Sequence, residues 1–220
     1  MNRRERDSFT ATTDQDNLAY GESACLETPP ELFAALHAEF KFDIDLTANK
    51  ENHLLPLWLG PGSSLANGMD ALTSLWYWGA MPNPDVWEGK VPLRLQPTKA
   101  GFSNPPYGAF VPKILAKAVE EQRRGFLSVF LLPVRINRCF KDLVMTHASE
   151  VRFVDERIKF WYHKQPKLNP ANGKHEGALF DSMIVVFRPR TPGKLHYGPQ
   201  LSVWHWSAER RAQLTAGVRV

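Results

Sequence analysis

The clearest hydrophobic pattern in the chain runs from residue 110 to residue 134. Apolar side chains recur at three- and four-residue intervals at Phe110, Val111, Ile114, Leu115, Ala118 and Val119. This spacing places them on one face of a helix. Gly125 then supplies a helix stop, and residues 126–134 form a near-continuous apolar run that is typical of a buried parallel strand. The pattern predicts a helix that leads into a strand of an α/β sheet.

A second helix with one apolar face is predicted to begin near Thr28. Its apolar positions are Leu32, Phe33, Leu36 and Phe40. Thr28 followed by Glu31 has the spacing of a capping box, with proline in the first turn. Residues 42–46 then alternate in polarity like a strand and end in acidic side chains.

The remaining segments give weaker patterns. We predict irregular structure over residues 49–69, a short helix over 139–145, a strand pair or long hairpin arm over 151–161, a polar loop over 163–177 and another apolar strand over 183–187. The tryptophan-rich stretch with Trp76, Trp78 and Trp87 is more often core than a base-reading surface.

Length and composition bound the class of protein. The 220 residues suffice for one well-buried domain, which we place at residues 21–220 after a flexible tail at 1–20. No apolar run is long enough to span a membrane, and the polar N-terminus does not resemble a secretory signal. Cys25 and Cys139 indicate a reducing, cytoplasmic setting, and neither has a Cys or His at metal-ligand spacing, so we predict no metal site.

Charge is distributed unevenly along the chain. Residues 21–112 carry ten acidic and five basic side chains, whereas residues 113–167 carry six acidic and twelve basic ones. An electropositive C-terminal half favours a polyanionic partner such as DNA, with Arg135 and Arg138 as the leading contacts. The alternative is a basic but merely solvated surface, since the net charge is only +4.

One short motif carries specific chemistry, namely Asn104-Pro105-Pro106-Tyr107. An exocyclic adenine amine is a poor nucleophile because its lone pair is conjugated with the ring. The Asn104 side-chain oxygen and the Pro105 carbonyl can accept its two N–H groups and free the lone pair. Pro105 and Pro106 restrict the backbone and so pre-aim both acceptors. Tyr107 offers a flat face for an unstacked base.

The same four residues could instead be an ordinary turn or a proline-rich interaction motif. Their context favours chemistry, because the motif precedes the predicted helix at residue 110 and the predicted strand at 126–134. It therefore lies on a strand-to-helix loop of a βαβ unit. Ligands of open α/β sheets bind at such loops, beyond the carboxyl ends of the strands.

With these landmarks in order, the chain resembles the phage-type, Dam-like DNA N6-adenine methyltransferases. The matching stretches are residues 28–33, 40–49, 104–108, 129–133, 151–161 and 178–187. The resemblance covers roughly residues 27–190. It implies an α/β, Rossmann-like fold with a three-layer αβα sheet, S-adenosylmethionine as the cofactor, DNA as the substrate, and a phage or prophage enzyme that acts in the cytoplasm of a bacterial host.

The resemblance also implies roles for single residues. Thr28 and Pro29 match the helix opening beside the methionine part of the cofactor. Asp45, with Asp43 near it, matches the acidic end of the first strand, where an acid can pair with the cofactor's ammonium group. Asp70 lies where related enzymes carry adenine-recognising acids. The alternative for Asp43 and Asp45 is a pair of solvent-facing acids on an edge strand.

One departure concerns the loop after Asp45. Most such enzymes carry a glycine-rich turn there, whereas this chain has Leu46-Thr47-Ala48-Asn49.

Three functions remain open at this point. The first is DNA adenine methylation with a flipped base, in which Asn104, Pro105, Pro106 and Tyr107 are catalytic. The second is methyl transfer to another amine: RNA adenine, cytosine N4 or a protein glutamine. The third is a nucleic-acid-binding protein without catalysis.

Overall fold

The computed structural model describes residues 26–63, 65, 70–76, 98–168, 172–175, 177–190, 193, 195–207 and 212. The predicted tail at 1–20 lies outside these residues, as do Cys25, Trp78 and Trp87. Among the described residues, no helix is long and apolar enough to cross a bilayer.

A six-stranded mixed sheet forms the centre of the molecule. Eight strands occur in the described residues: β1 (Ile44–Asp45), β2 (Ala100–Ser103), β3 (Leu127–Pro133), β4 (Glu150–Val154), β5 (Trp161–Tyr162), β6 (Gln165–Pro166), β7 (Ser182–Phe187) and β8 (Gln200–Trp204). The main sheet has the order β1-β2-β3-β7-β4-β8, and β5 and β6 form a separate hairpin.

Strand direction decides where a site can form. β1, β2 and β3 are mutually parallel, while β7 is antiparallel to both β3 and β4, and β8 is parallel to β4. Five strands therefore run the same way, and only β7 runs against them. We call the side at which these five strands end the carboxyl end of the sheet, and the opposite side the amino end.

Helices pack on both faces of the sheet. Helix α1 (Pro30–Phe40) contributes Leu32, Leu36 and Phe40 to a core that also contains Val129 and Leu131 of β3. Helix α2 (Phe110–Arg123) packs on the other face, against Phe130 and Leu132. Alternate residues of β3 thus face opposite cores, as the period-two geometry of a strand requires.

Several predicted elements are confirmed. The predicted apolar face over residues 110–119 is the buried face of α2, and Gly125 follows its end with a φ of 94°. The apolar run 126–134 contains β3, and residues 183–187 lie in β7. The β2–α2–β3 segment is the predicted parallel βαβ unit.

Two local predictions are wrong. Pro29, not Thr28, is the N-cap of α1, and no side chain caps this helix, so the capping box does not form. The strand pair or long hairpin arm over 151–161 does not form as one unit: residues 151–154 lie in β4, which ends at Val154, and Trp161 begins the separate β5–β6 hairpin.

The predicted short helix near residue 139 is real but wider than an α-helix. Residues Phe140–Val144 form a π-helical turn that continues into α3 (Met145–His147). A π-helical turn of this kind is often found near functional sites.

Candidate active site

Asn104 lies at the carboxyl end of β2, and two hydrogen bonds fix its side chain. Its Nδ2 donates to the Leu26 carbonyl at 2.8 Å, and its Oδ1 accepts the Tyr107 hydroxyl at 2.9 Å. An amide oxygen carries two lone pairs, so Oδ1 retains capacity for a second donor. The amide is therefore oriented before any substrate arrives, with its oxygen held on the side of Tyr107.

Tyr107 is buried more deeply than its predicted stacking role suggests. Only 7% of its surface is exposed, and its ring meets Phe180 edge to face at 5.5 Å. Burial raises the pKa of Tyr107 well above its usual value, so its hydroxyl stays a donor at physiological pH. The structure therefore gives this residue a contact that the sequence did not predict, namely a hydroxyl that orients Asn104.

A cleft opens beside Tyr107, between the start of α2 and the residues that follow β3. Arg135 and Cys139 line it. Arg135 is exposed and lies close enough to Tyr107 to oppose, through its charge, the rise in the tyrosine pKa. Pro105 is buried and Pro106 is half-buried.

Asp45 is a buried carboxylate at the end of β1. It is 4% exposed, and its oxygens accept the backbone amides of Leu54 at 3.2 Å and Thr47 at 3.4 Å. Burial raises the pKa of Asp45 to about 6, while these two amides and nearby His53 oppose the rise. Within the described part of the chain, Asp45 has no Lys or Arg partner. A buried carboxylate with a raised pKa and no cationic partner marks a candidate functional site.

Thr28 carries a buried hydroxyl close in the chain to the residue that holds Asn104. Its Oγ1 is buried and has no hydrogen-bond partner among the described residues. It lies two residues after Leu26, whose carbonyl holds Asn104. Buried hydroxyls are normally paired, so one without a partner calls for an explanation such as a ligand. Pro29, beside it, is the N-cap of α1.

The loop after β1 achieves close packing without a glycine-rich turn of its own. The Thr47 and Ser103 hydroxyls lie 2.7 Å apart and link the ends of β1 and β2. Gly60, from a neighbouring segment, packs against the Ala48 carbonyl, where an added Cβ would lie only 1.8 Å from the oxygen. The close approach to this loop is therefore made by Gly60, from outside the loop, and not by a glycine within it.

Asp43 is not brought to the same place as Asp45, and Asp70 is engaged by a turn of its own. Asp43 is exposed at the amino end of the sheet, where its Oδ2 accepts the amides of Lys99 at 2.7 Å and Ala100 at 3.1 Å. Asp70 caps a turn by accepting the Leu72 amide at 2.8 Å. Both carboxylates thus accept hydrogen bonds from backbone amides. Their contacts with the cofactor stay predictions.

The two predicted DNA contacts differ from each other. Arg135 has no described acidic partner and lines the cleft at Tyr107. Arg138 is almost fully exposed and pairs with Asp142 at 3.1 Å. Arg135 is therefore the better placed of the two for a phosphate beside the motif.

Comparison with known proteins supplies the family. A family model described as DNA N-6-adenine-methyltransferase (Dam) matches residues 17–202. The chain belongs to this family. Among curated proteins, no significant match was found. Membership indicates a DNA adenine methyltransferase, and it confirms the resemblance inferred from the motifs. Among the residues that the structure describes, no group of three or more His, Cys, Asp or Glu side chains could hold a metal.

The residues that sequence reasoning missed are the ones that hold others in place. The Leu26 carbonyl and Phe180 act on the motif from 78 and 73 positions away along the chain, and the Ser103 hydroxyl, one position before the motif, bonds Thr47. Ser103 precedes the motif directly and could have been noticed. No local pattern marks the two distant contacts.

Proposed function

We propose that this Dam family protein transfers a methyl group from S-adenosylmethionine to the N6 amine of an adenine flipped out of DNA. The observation that carries the proposal is the Asn104 side chain, whose oxygen is held by Tyr107 and whose nitrogen is held by Leu26. An amide fixed from both sides can present an acceptor without reorganising in the transition state. An ordinary turn residue needs no such support.

The chemistry of the surrounding groups fits the cofactor. Asp45 offers a desolvated carboxylate for the ammonium group, and Thr28 offers an unpaired hydroxyl for the carboxylate of the methionine part. S-adenosylmethionine, when bound, supplies an electrophilic methyl on a sulfonium. We assign Pro29 to the same contact surface because it caps α1 beside Thr28. Asp43 and Asp70 would then act indirectly, by holding backbone.

Asn104 and the Pro105 carbonyl would accept the two N–H groups of the adenine amine and free its lone pair. The Tyr107 hydroxyl would keep the Asn104 oxygen aimed, and its ring would meet the base after a small outward shift, because only 7% of it is exposed. Arg135 would hold a flanking phosphate, with Arg138 further along the DNA. Alignment and preset acceptors would supply most of the rate.

The rest of the assignment follows from the same proposal. Helices on both faces of a sheet in which five strands share one direction suit a Rossmann-like, three-layer fold in one domain over residues 21–220. A DNA-modifying enzyme of phage type would act in the cytoplasm of its bacterial host.

Product analysis tests the function. The protein is incubated with labelled cofactor and, separately, with duplex DNA, RNA or a glutamine-containing protein, and the products are digested and weighed. We expect N6-methyladenine from DNA alone. Methylated cytosine, RNA or glutamine would move the protein to another substrate. No methylation, together with no cofactor binding by calorimetry, would leave only a nucleic-acid-binding protein.

A further inference from the structure

We propose that the β5–β6 hairpin, residues 161–166, is a DNA-binding element that grips phosphates beside the target adenine. This inference rests on the proposed function, and it names a surface that the sequence analysis treated as a polar loop. Its basis is the charge of the segment, the hairpin's attachment to the catalytic motif, and the conformation of its turn.

The chain around the hairpin is basic, although the Glu27 carboxylate accepts the Lys164 amide at the turn, at 2.9 Å. Residues 157–175 include five Lys or Arg and no Asp or Glu. Arg157 reaches Asp181 only at 3.8 Å, with both side chains largely exposed. Within the described ranges, Lys159, Lys164 and Lys174 have no ion-pair partner, and all three are exposed. Exposed cations at the hairpin turn and in the segments on either side of it match the electrostatic footprint of a nucleic-acid backbone.

Two connections fix the hairpin to the active site. Trp161 and Glu27 exchange both backbone hydrogen bonds, at 2.9 and 3.0 Å, and Glu27 follows Leu26, whose carbonyl holds Asn104. On the other side, Phe160 packs against Phe180, which contacts the Tyr107 ring. A phosphate held by the hairpin is therefore positioned relative to both Asn104 and Tyr107.

The sequence of the turn is unfavourable for its backbone conformation. His163 and Lys164 have φ values of 49° and 58°, so a two-residue turn places two non-glycine side chains in the left-handed region. Asn-Gly is the sequence that such a hairpin turn prefers. Strain of this kind tends to be retained where side chains are needed for function. Here it keeps an imidazole and an ammonium at the exposed tip, beside Tyr162.

Duplex DNA is the occupant that these observations favour. The family acts on DNA, the charge is complementary to phosphate, and a two-stranded ribbon is an element that a DNA groove admits. The uncharged polar surface of a protein target would gain nothing from such a concentration of lysines.

The first test removes charge. The Lys159→Gln/Lys164→Gln variant is compared with Lys41→Gln/Arg123→Gln, which removes the same charge from exposed residues at the amino end of the sheet. Binding to duplex DNA is measured from low to moderate salt. We expect at least a tenfold loss of affinity for the hairpin variant and a salt slope that is smaller by about two, since each lost phosphate contact lowers it by roughly 0.9. Equal losses in the two variants, or none, overturn the proposal.

The second test separates recognition from folding. In His163→Asn/Lys164→Gly the turn takes its preferred sequence, so the melting temperature should rise by a few degrees while DNA affinity falls. A rise in melting temperature with unchanged DNA affinity would show that the hairpin has a structural role only.

The outcomes also distinguish this proposal from the proposed function. If the wild-type protein methylates DNA and the hairpin variants bind it normally, only the hairpin assignment fails. If the wild-type protein methylates nothing, the proposed function fails first. If the hairpin variants lose affinity for RNA but not for duplex DNA, DNA is the wrong partner for this surface.

Discussion

Buried carboxylates at the two ends of the central sheet differ in their partners. At the amino end, Arg152 forms two hydrogen bonds to Glu39, at 2.7 and 2.6 Å, and also pairs with Glu150. Arg188 pairs with Glu150 at 2.7 Å, and both guanidinium groups lie over the Phe40 ring. Burial alone would raise the pKa of Glu150, but its hydrogen bonds to the two arginines bring it below the ordinary value.

At the carboxyl end, Asp45 lacks a cationic partner and Thr28 lacks a hydrogen-bond partner among the described residues. Asp45 has a pKa raised to about 6 by burial and no arginine or lysine partner among the described residues. Thr28 carries a buried hydroxyl without a described partner. Glu150 at the amino end therefore has two cationic partners, whereas Asp45 at the carboxyl end is hydrogen-bonded to backbone amides and has no Lys or Arg partner among the described residues.

This difference separates stability from function in physical terms. A satisfied network contributes to folding and offers nothing to a ligand. An unsatisfied buried group lowers the stability of the free protein, and a ligand that supplies the missing partner recovers that energy on binding. We therefore expect amino-end variants to lose stability and carboxyl-end variants to lose binding or rate.

The largest expected loss of stability comes from Arg152→Ala. It would leave Glu150 half-buried with only Arg188 as a cation, and breaking a buried ion pair from one side costs about 3–5 kcal/mol. Because Glu39 is 42% exposed, we expect a smaller loss, about 2–3 kcal/mol. Urea unfolding measures it. Methyl transfer by the folded fraction should stay unchanged, and a matching loss of rate would remove the distinction between the two ends.

Asp45→Asn tests the carboxyl end. The variant keeps an acceptor for the Leu54 amide but removes the charge, so cofactor affinity should fall by about 1.5–3 kcal/mol, the range for a hydrogen bond to a charged group. Asp45→Ala should lose at least as much. Calorimetry with S-adenosylmethionine measures both variants, and Asp43→Asn is the control at the amino end. An unchanged affinity in folded Asp45→Asn would overturn its role as the ammonium partner.

The raised pKa of Asp45 predicts a pH dependence of cofactor binding. The carboxylate is ionised above about pH 6 and protonated below it. Between pH 7 and pH 5 the ionised fraction falls about tenfold, so affinity should fall by about the same factor. The change should be absent in Asp45→Asn. A pH-independent wild-type affinity over this range contradicts the assignment.

Desolvation of Asp45 also predicts an opposite effect on the free protein. Its folded-state pKa lies above its unfolded value, so there is no penalty on folding below about pH 4, the penalty grows as pH rises from about 4 to about 6, and it is fully present above about pH 6. Relative to wild type, Asp45→Asn should therefore gain stability as pH rises between these values, by up to about 3 kcal/mol. Unfolding measured at pH 4 and pH 7 gives the difference, and a constant offset between the two proteins would show that the charge is not the cause.

Tyr107→Phe gives the smallest expected effect. The ring and its contact with Phe180 remain, and only the hydroxyl that orients Asn104 is lost. One hydrogen bond is worth about 0.5–1.5 kcal/mol, which corresponds to a rate roughly two to ten times slower. Single-turnover kinetics measure it. Tyr107→Ala also removes the ring and should reduce DNA binding as well, so equal behaviour of the two variants would refute an orienting role for the hydroxyl.

The sequence predicted what periodicity and local chemistry determine. The buried face of α2, the apolar strand β3 and the position of Asn104 on a strand-to-helix loop follow from spacing within about 30 residues. The capping box failed because Pro29 took the cap position, and proline offers no side-chain oxygen to the helix amides.

What the sequence could not predict depends on distant contacts. Gly60 approaches the Ala48 carbonyl, and Leu26 holds Asn104 across 78 positions. Asp43 and Asp45 are alike in sequence, yet Asp43 is exposed before the start of β1 and caps backbone amides there, whereas Asp45 is buried at the end of that strand. Nor does any propensity predict a His-Lys turn in the left-handed region.

The most direct test of the central claim is the rate of the chemical step in Asn104→Ala. Single-turnover methyl transfer to DNA is followed alongside binding of cofactor and DNA, and Gln200→Ala, which truncates an exposed amide at the amino end of the sheet, serves as the control. We expect the chemical step to be at least about a hundredfold slower in Asn104→Ala, with DNA affinity little changed, because one preset hydrogen-bond partner is lost. The control should keep the wild-type rate. Methylation by Asn104→Ala at the wild-type rate would mean that Asn104 is a turn residue and that the carboxyl end of β2 is not the catalytic centre.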